Sequence, residues 1–363
     1  MYKKILILVL LICGNLFGSS NYTKQEIERM ISKMVILGFN GETVNQNDEI
    51  YKNIKSGLGG VILFDKDPND KQKVKNVRNK EQLKRLTSQL QAISNQKLLI
   101  SIDQEGGIVQ RLKKEDGFVD TPKASEIALN GENFARKSYS AMAKDLRYSG
   151  INVDFAPVVD LAINKDNKVI VTRGRSFGES SKEVIKYSSI FVEELKKQNI
   201  ISVLKHFPGH GSSLADSHLG FVDITDTWNQ KELEPYRYFI ANNSVDMIMI
   251  AHVFNQNLDK NYPATLSYNI NTNLLRNKLG FDGVIVSDDL QMSAISKHYD
   301  LKQTLTLAIN SGVNMLLFAN QLSKPVSLKE IVDTVYKQVL NNQISIEQII
   351  KSNQRIDRMM SKY

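Results

Sequence analysis

Sixteen residues, "KHFPGHGSSLADSHLG" from Lys205 to Gly220, hold three of the five histidines in this 363-residue chain. A metal site, a phosphate loop and the acid–base part of a hydrolase all fit such a cluster. His206 and His210 stand four apart, the spacing of a zinc pair on a helix. Pro208, Gly209 and Gly211 oppose a helix there, and no glutamate follows His206, so no metal is expected. The segment also lacks the Lys-Ser/Thr pair of a phosphate loop. Its glycines read as permitting a turned loop, with His210 a structural residue. Asp216 and His218 are the sharper pair. A carboxylate beside an imidazole raises its pKa and fixes its tautomer, which frees the other ring nitrogen to give and take a proton near neutral pH. The competing reading is a surface loop in which Asp216 makes a local turn. These two residues alone leave both open.

Other chemical groups close apolar runs. Asp103 ends "LLISID", Lys205 and His206 end "SVLKH", His252 ends "VDMIMIAH", and Asp288 and Asp289 end "GVIVSDD". Such groups are costly to bury unless paired. Each could merely cap the next helix, as Asp289 could. Asp288 could equally act as a nucleophile or a metal ligand. The choice depends on whether the runs bring these groups to one place.

The runs are "VILGF" (35–39), "GVILF" (60–64), "LLISID" (98–103), "INVDFAPVVD" (151–160), "SVLKH" (202–206), "VDMIMIAH" (245–252), "GVIVSDD" (283–289) and "NMLLFA" (314–319). They are largely apolar rather than alternating, as expected of parallel strands buried on both faces. Stretches of helical character lie between them, including 79–94, 180–198 and 301–312. The chain after residue 20 opens with a capping-box pattern, Thr23 and Glu26, ahead of Ile27, Met30, Ile31 and Met34 on one helix face. Eight strands alternating with helices predict an α/β fold, a (β/α)8 TIM barrel, rather than a doubly wound open sheet. No linker or repeat divides the chain, so a single domain is expected over residues 21–363. In a barrel of this kind the chemistry sits at the C-terminal strand ends, where the groups above would converge.

Composition narrows the partners. The formal charge is +8, but no run of five basic residues occurs. A lysine-rich solvated surface is expected, with no nucleic acid bound. The excess charge would help attract an anionic glycan or cell-wall polymer. Residues 1–20, with Lys3 and Lys4 ahead of an apolar run from Ile5 to Ile12 and then small residues, read as a signal peptide, so an exported, periplasmic protein is expected. The single cysteine, Cys13, lies in that segment. It follows the bulky Ile12, so a lipid anchor is not expected there, and the processed chain would have neither disulfide nor thiol nucleophile.

Taken together, these residues resemble the bacterial β-N-acetylglucosaminidases of glycoside hydrolase family 3, from about Glu26 to about Asn320. "SIDQEGGIVQR" is similar to a family segment with Asp103 and Arg111 in sugar-contacting positions. "GRSFGE" places Arg175 as a substrate arginine, with Arg173 a rival because the segment is longer than usual. "KHFPGHG" followed by "DSH" implies Lys205 and His206 as substrate contacts, His218 as acid/base and Asp216 as its partner. "FDGVIVSDDLQM" implies Asp288 as nucleophile, and "YPATLS" (262–267) is also similar. Larger members carry a second domain that supplies a glutamate as acid/base. A chain of this length is expected to take its acid/base from the barrel.

The resemblance implies two-step retaining hydrolysis without metal or cofactor. Asp288 would form a covalent glycosyl-enzyme, and His218 would protonate the leaving oxygen and then activate water. The expected partner is an N-acetylglucosamine-containing glycan or muropeptide, met in association with the cell wall. The alternatives are another family 3 β-glycosidase, an N-acetylglucosamine phosphorylase, and a non-catalytic cell-wall glycan-binding protein. Possession of both Asp288 and His218 argues against the last.

Overall fold

The computed structural model describes residues 22–70, 72–214, 222–321 and 324–363. The segment read as a signal peptide, with Cys13, and the pair Asp216 and His218 lie outside the described residues.

Each of the eight apolar runs supplies one strand. These are β1 (Val35–Gly38), β2 (Gly60–Ile62), β3 (Leu99–Ile102), β4 (Val153–Asp154), β5 (Ile201–Phe207), β6 (Met247–Ile250), β7 (Val284–Ser287) and β8 (Leu316–Phe318). Among the described residues they form one parallel sheet in the order β8-β1-β2-β3-β4-β5-β6-β7. A parallel bridge between Val286 and Met315 joins its two ends. The Ser287 N–H donates to the Met315 carbonyl at 3.0 Å. The fold is therefore the expected (β/α)8 barrel. All of these strand residues are buried, which is why the runs show no polar alternation.

The helical stretches form Lys80–Ile93, Ser181–Lys197 and Leu301–Ser311. The helix Lys24–Lys33 begins with the expected capping box between Thr23 and Glu26. It and the helix Ile346–Met360 lie against each other, where the Asn353 amide donates to the Met30 carbonyl at 3.0 Å. At the N-terminal end of the barrel, Arg276 donates to the carbonyls of Phe281, Gly283 and Gly312. Those bonds tie together the loops that enter β7 and β8, away from the strand ends that carry the chemistry.

Two strands differ from simple expectation. The run 151–160 gives a regular ladder only at Val153–Asp154. Pro157 has no N–H to donate to a ladder, although its carbonyl accepts from the Lys205 N–H at 3.3 Å. The pairing of β5 with β6 shifts register between Leu204 and Phe207. A regular strand sends successive side chains to opposite faces, and irregularities of this kind re-aim them. Lys205 and His206, although consecutive, both line the same cavity.

Candidate active site

The cavity, of about 680 Å³, opens at the C-terminal strand ends. Asp103 follows β3 directly, Lys205 and His206 lie within β5, and Asp288 follows β7 directly. All four line the cavity, as do Arg111 and Arg175 from the loops after β3 and β4. The structure thus brings together six of the eight residues singled out in the sequence. His252 does not line it. Its Nε2–H donates to the Asp289 carbonyl at 2.9 Å and its Nδ1 meets Thr265 Oγ1 at 2.7 Å, so it braces the chain beside Asp288.

A buried charge cluster floors the cavity. Glu105 accepts from Arg175 Nε at 2.8 Å and Nη2 at 2.7 Å, and Lys205 Nζ lies 2.7 Å from Glu105 Oε1. Lys205 also donates to Asp103 Oδ1 at 2.8 Å. Arg111 approaches the other oxygen of Asp103 at 3.4 Å and lies over the Phe64 ring. Burial alone would raise the Glu105 pKa, but Arg175 and Lys205 outweigh it and hold the carboxyl well below its usual range. Burial would likewise lower the Lys205 pKa, but Asp103 and Glu105 raise it. Lys205 therefore stays an ammonium and Glu105 a carboxylate at neutral pH. Arg175 is buried in this cluster, whereas its rival Arg173 is exposed at the mouth.

His206 is held by a residue the sequence reasoning passed over. Its Nδ1 donates to Asp160 Oδ2 at 2.7 Å. Asp160 Oδ1 also accepts from the backbone N–H groups of His206, at 3.2 Å, and His210, at 2.9 Å. The carboxylate fixes the imidazole tautomer and leaves His206 Nε2 for the cavity. Asp160 closes the run "INVDFAPVVD" just as Asp103 closes its own, and that was the available signal. Glu105, also missed, lies two residues beyond Asp103.

Asp288 is half-buried. Its Oδ1 accepts from the Asp289 N–H at 2.8 Å. Asp289 accepts through Oδ1 from the Gln291 and Ala319 N–H groups, both at 3.1 Å, and so ties the loop after β7 to the end of β8. Asp289 does not cap the next helix, whose N-cap is Met292; it lines the cavity beside Asp288.

The described start of the loop after β5 is a tight turn, as its glycines suggested. Pro208 to Ser213 are all buried. Gly209 has φ +123, and a Cβ there would lie 2.5 Å from the Glu232 side chain. At Gly211 a Cβ would meet the Leu161 carbonyl oxygen at 1.8 Å. Only glycine lets the turn press into this space. The Gly211 N–H donates to Glu232 Oε2 at 2.8 Å. Burial pushes the Glu232 pKa up to about 8.

Fixed donors and acceptors along one wall, and a carboxylate at Asp288 on the same cavity, suit a hydroxyl-rich ligand placed against a nucleophile. Among the described residues no three His, Asp or Glu side chains converge as metal ligands.

Comparison with known proteins points the same way. The model of the "Glycosyl hydrolase family 3 N terminal domain" matches residues 23–359. The chain is 34% identical over 330 residues to Beta-hexosaminidase A of Pseudoalteromonas piscicida, covering 84% of this chain and 53% of that protein. It is 35% identical over 265 residues to a Beta-hexosaminidase of Photobacterium profundum, covering 72% of this chain and 75% of that one. A solved family 3 beta-N-acetylglucosaminidase from Paenibacillus sp. str. FPU-7 superposes with a TM-score of 0.83 at 32% identity, covering 92% of this chain and 62% of that one. The chain thus spans about half of the Pseudoalteromonas protein and less than two thirds of the Paenibacillus one.

Proposed function

The chain belongs to glycosyl hydrolase family 3, and from that premise we propose that it is an exported, retaining exo-β-N-acetylglucosaminidase that removes terminal N-acetylglucosamine from peptidoglycan-derived glycans. The observation that carries this reading is that Asp288 lines one cavity together with Asp103, Arg111, Arg175, Lys205 and His206. The names of the relatives support the sugar, and the N-terminal sequence supports export.

In this reading the charged wall holds the sugar hydroxyls and the acetamido group, so that the anomeric carbon stands over Asp288. Asp288 attacks that carbon and the glycosidic bond breaks. His218, oriented by Asp216, gives its proton to the departing oxygen. The neutral imidazole then takes a proton from the water that attacks the glycosyl ester, which restores Asp288 and releases the sugar with retained configuration. Asp288 needs to be ionised at the start, as a carboxylate nucleophile is.

A fluorinated N-acetylglucosamine analogue that accumulates the glycosyl-enzyme tests the proposal. Peptide mapping is expected to find the label on Asp288. A label on any other residue, or release of sugar 1-phosphate as the main product when phosphate is present, would overturn it.

A further inference from the structure

His210, first read as structural, lines the cavity and has one ring nitrogen without a partner among the described residues. It shares that lining with His206 and Arg175 and is 3% exposed. The two imidazole rings stand 5.9 Å apart at 72°. The His210 backbone is fixed by Asp160, and its Nδ1 lies 2.6 Å from Ser213 Oγ.

The hydrogen bonds around Ser213 accommodate one tautomer with every contact met. Ser213 Oγ lies 3.0 Å from the His210 carbonyl oxygen, which can only accept. It lies 3.1 Å from Asn167 Nδ2, an amide group that also donates to the His210 and Gly211 carbonyls at 2.8 and 3.2 Å. That amide is oriented by the Val169 and Ile170 N–H groups donating to its oxygen, so the nitrogen faces Ser213 as a donor. Ser213 has one proton and two lone pairs. All three contacts are satisfied when it donates to the carbonyl and accepts from Asn167 and from His210 Nδ1–H. The His210 Nε2 then carries a lone pair. It is buried and has no partner among the described residues. Burial, and after it the neighbouring His206, lower the His210 pKa to about 4, so the ring is uncharged at neutral pH. A buried acceptor with no partner is unfavourable and calls for an explanation such as a ligand donor.

We propose that His210 is a substrate-binding residue whose Nε2 accepts a hydrogen bond from a hydroxyl or from the acetamido N–H of the sugar held over Asp288. This rests on the glycosidase reading above. The contact is uncharged and directional, so it selects for a donor at one position of the ring, where the ion-paired groups of the wall offer charge.

The test compares wild type with His210→Phe on an aryl N-acetyl-β-glucosaminide. A panel accompanies it in which one hydroxyl at a time is deleted, or the amide is replaced by an ester. On the parent substrate the variant is expected to lose about tenfold or more in kcat/KM. On the one analogue lacking the matching donor, wild type shows that loss already, and the variant loses less than twofold further. An equal loss across the whole panel, or no loss on the parent, overturns the proposal. If His210→Phe does not fold, ¹⁵N-histidine NMR of the wild-type protein titrated with N-acetylglucosamine replaces it. The His210 Nε2 resonance is expected to move while that nitrogen stays unprotonated, and an unmoved resonance refutes the contact. Failure of wild type to hydrolyse the parent substrate would count against the glycosidase reading, whereas the NMR titration reads His210 independently of turnover.

Discussion

Glu105 and Arg175 form a two-pronged ion pair beneath the cavity, 2.8 and 2.7 Å at its two contacts, although 70 residues separate them in the chain. Lys205 shares the same carboxylate. Breaking a buried pair leaves an uncompensated charge, at a cost of about 3–5 kcal/mol. Glu105→Gln is therefore expected to lower unfolding free energy by that order in urea titration. A loss below ~1 kcal/mol would show that the cluster does not behave as a buried unit.

The two arginines of "TRGRSFG" separate by burial. Arg175→Met is expected to destabilise the protein and abolish turnover, since it strips Glu105 of its bidentate partner. Arg173 is exposed, and Arg173→Met is expected to stay within ~0.5 kcal/mol of wild-type stability. Melting curves of both variants decide the matter, and equal destabilisation would contradict it.

Asp288→Asn keeps the shape of the cavity wall and removes the charge that the proposed mechanism uses for attack. Turnover of an aryl N-acetyl-β-glucosaminide is expected to fall on the order of 10³-fold or more. Circular dichroism and melting temperature should match wild type. Retained turnover would exclude Asp288 as nucleophile.

Glu232 links stability to pH with a definite sign. Its carboxyl, raised from 4.5 to about 8 chiefly by burial, keeps a proton that the unfolded chain has already released across that interval. The folded state binds more protons there, so stability falls as pH rises through the window, by at most ~1.4 kcal/mol per unit. Glu232→Gln removes the titration. Its stability is expected to decline less than wild type between pH 5 and pH 9, with the largest relative gain at the alkaline end. Parallel curves for the two proteins would refute the assignment.

Much of the site was legible because barrel strands announce their ends. Asp103, Lys205, His206 and Asp288 each close an apolar run, and the fold carries those ends to one mouth. Asp160 carried the same signal and was passed over. Glu232 had no such signal: it becomes a partner of the turn after β5 only where Gly209 and Gly211 let the backbone close on it. His252 carried the signal but faces Thr265 and the Asp289 carbonyl, because a strand end specifies position and not direction.

The sequence by itself determined the barrel, since eight runs buried on both faces and separated by amphipathic helices have few other ways to satisfy their backbone and hide their side chains. It also determined which residue types stand at the strand ends. Only the tertiary structure decided which of those groups face the cavity and in what state. Lys205 and His206 line the same cavity, against the ordinary alternation, where the pairing of β5 shifts register. Asp160 sets the tautomer of His206 from 46 residues away, and Ser213 with Asn167 accommodates one tautomer of His210. Charge and proton position at such a site depend on distances between groups far apart in the chain, and those distances exist only once the strands have closed into a ring.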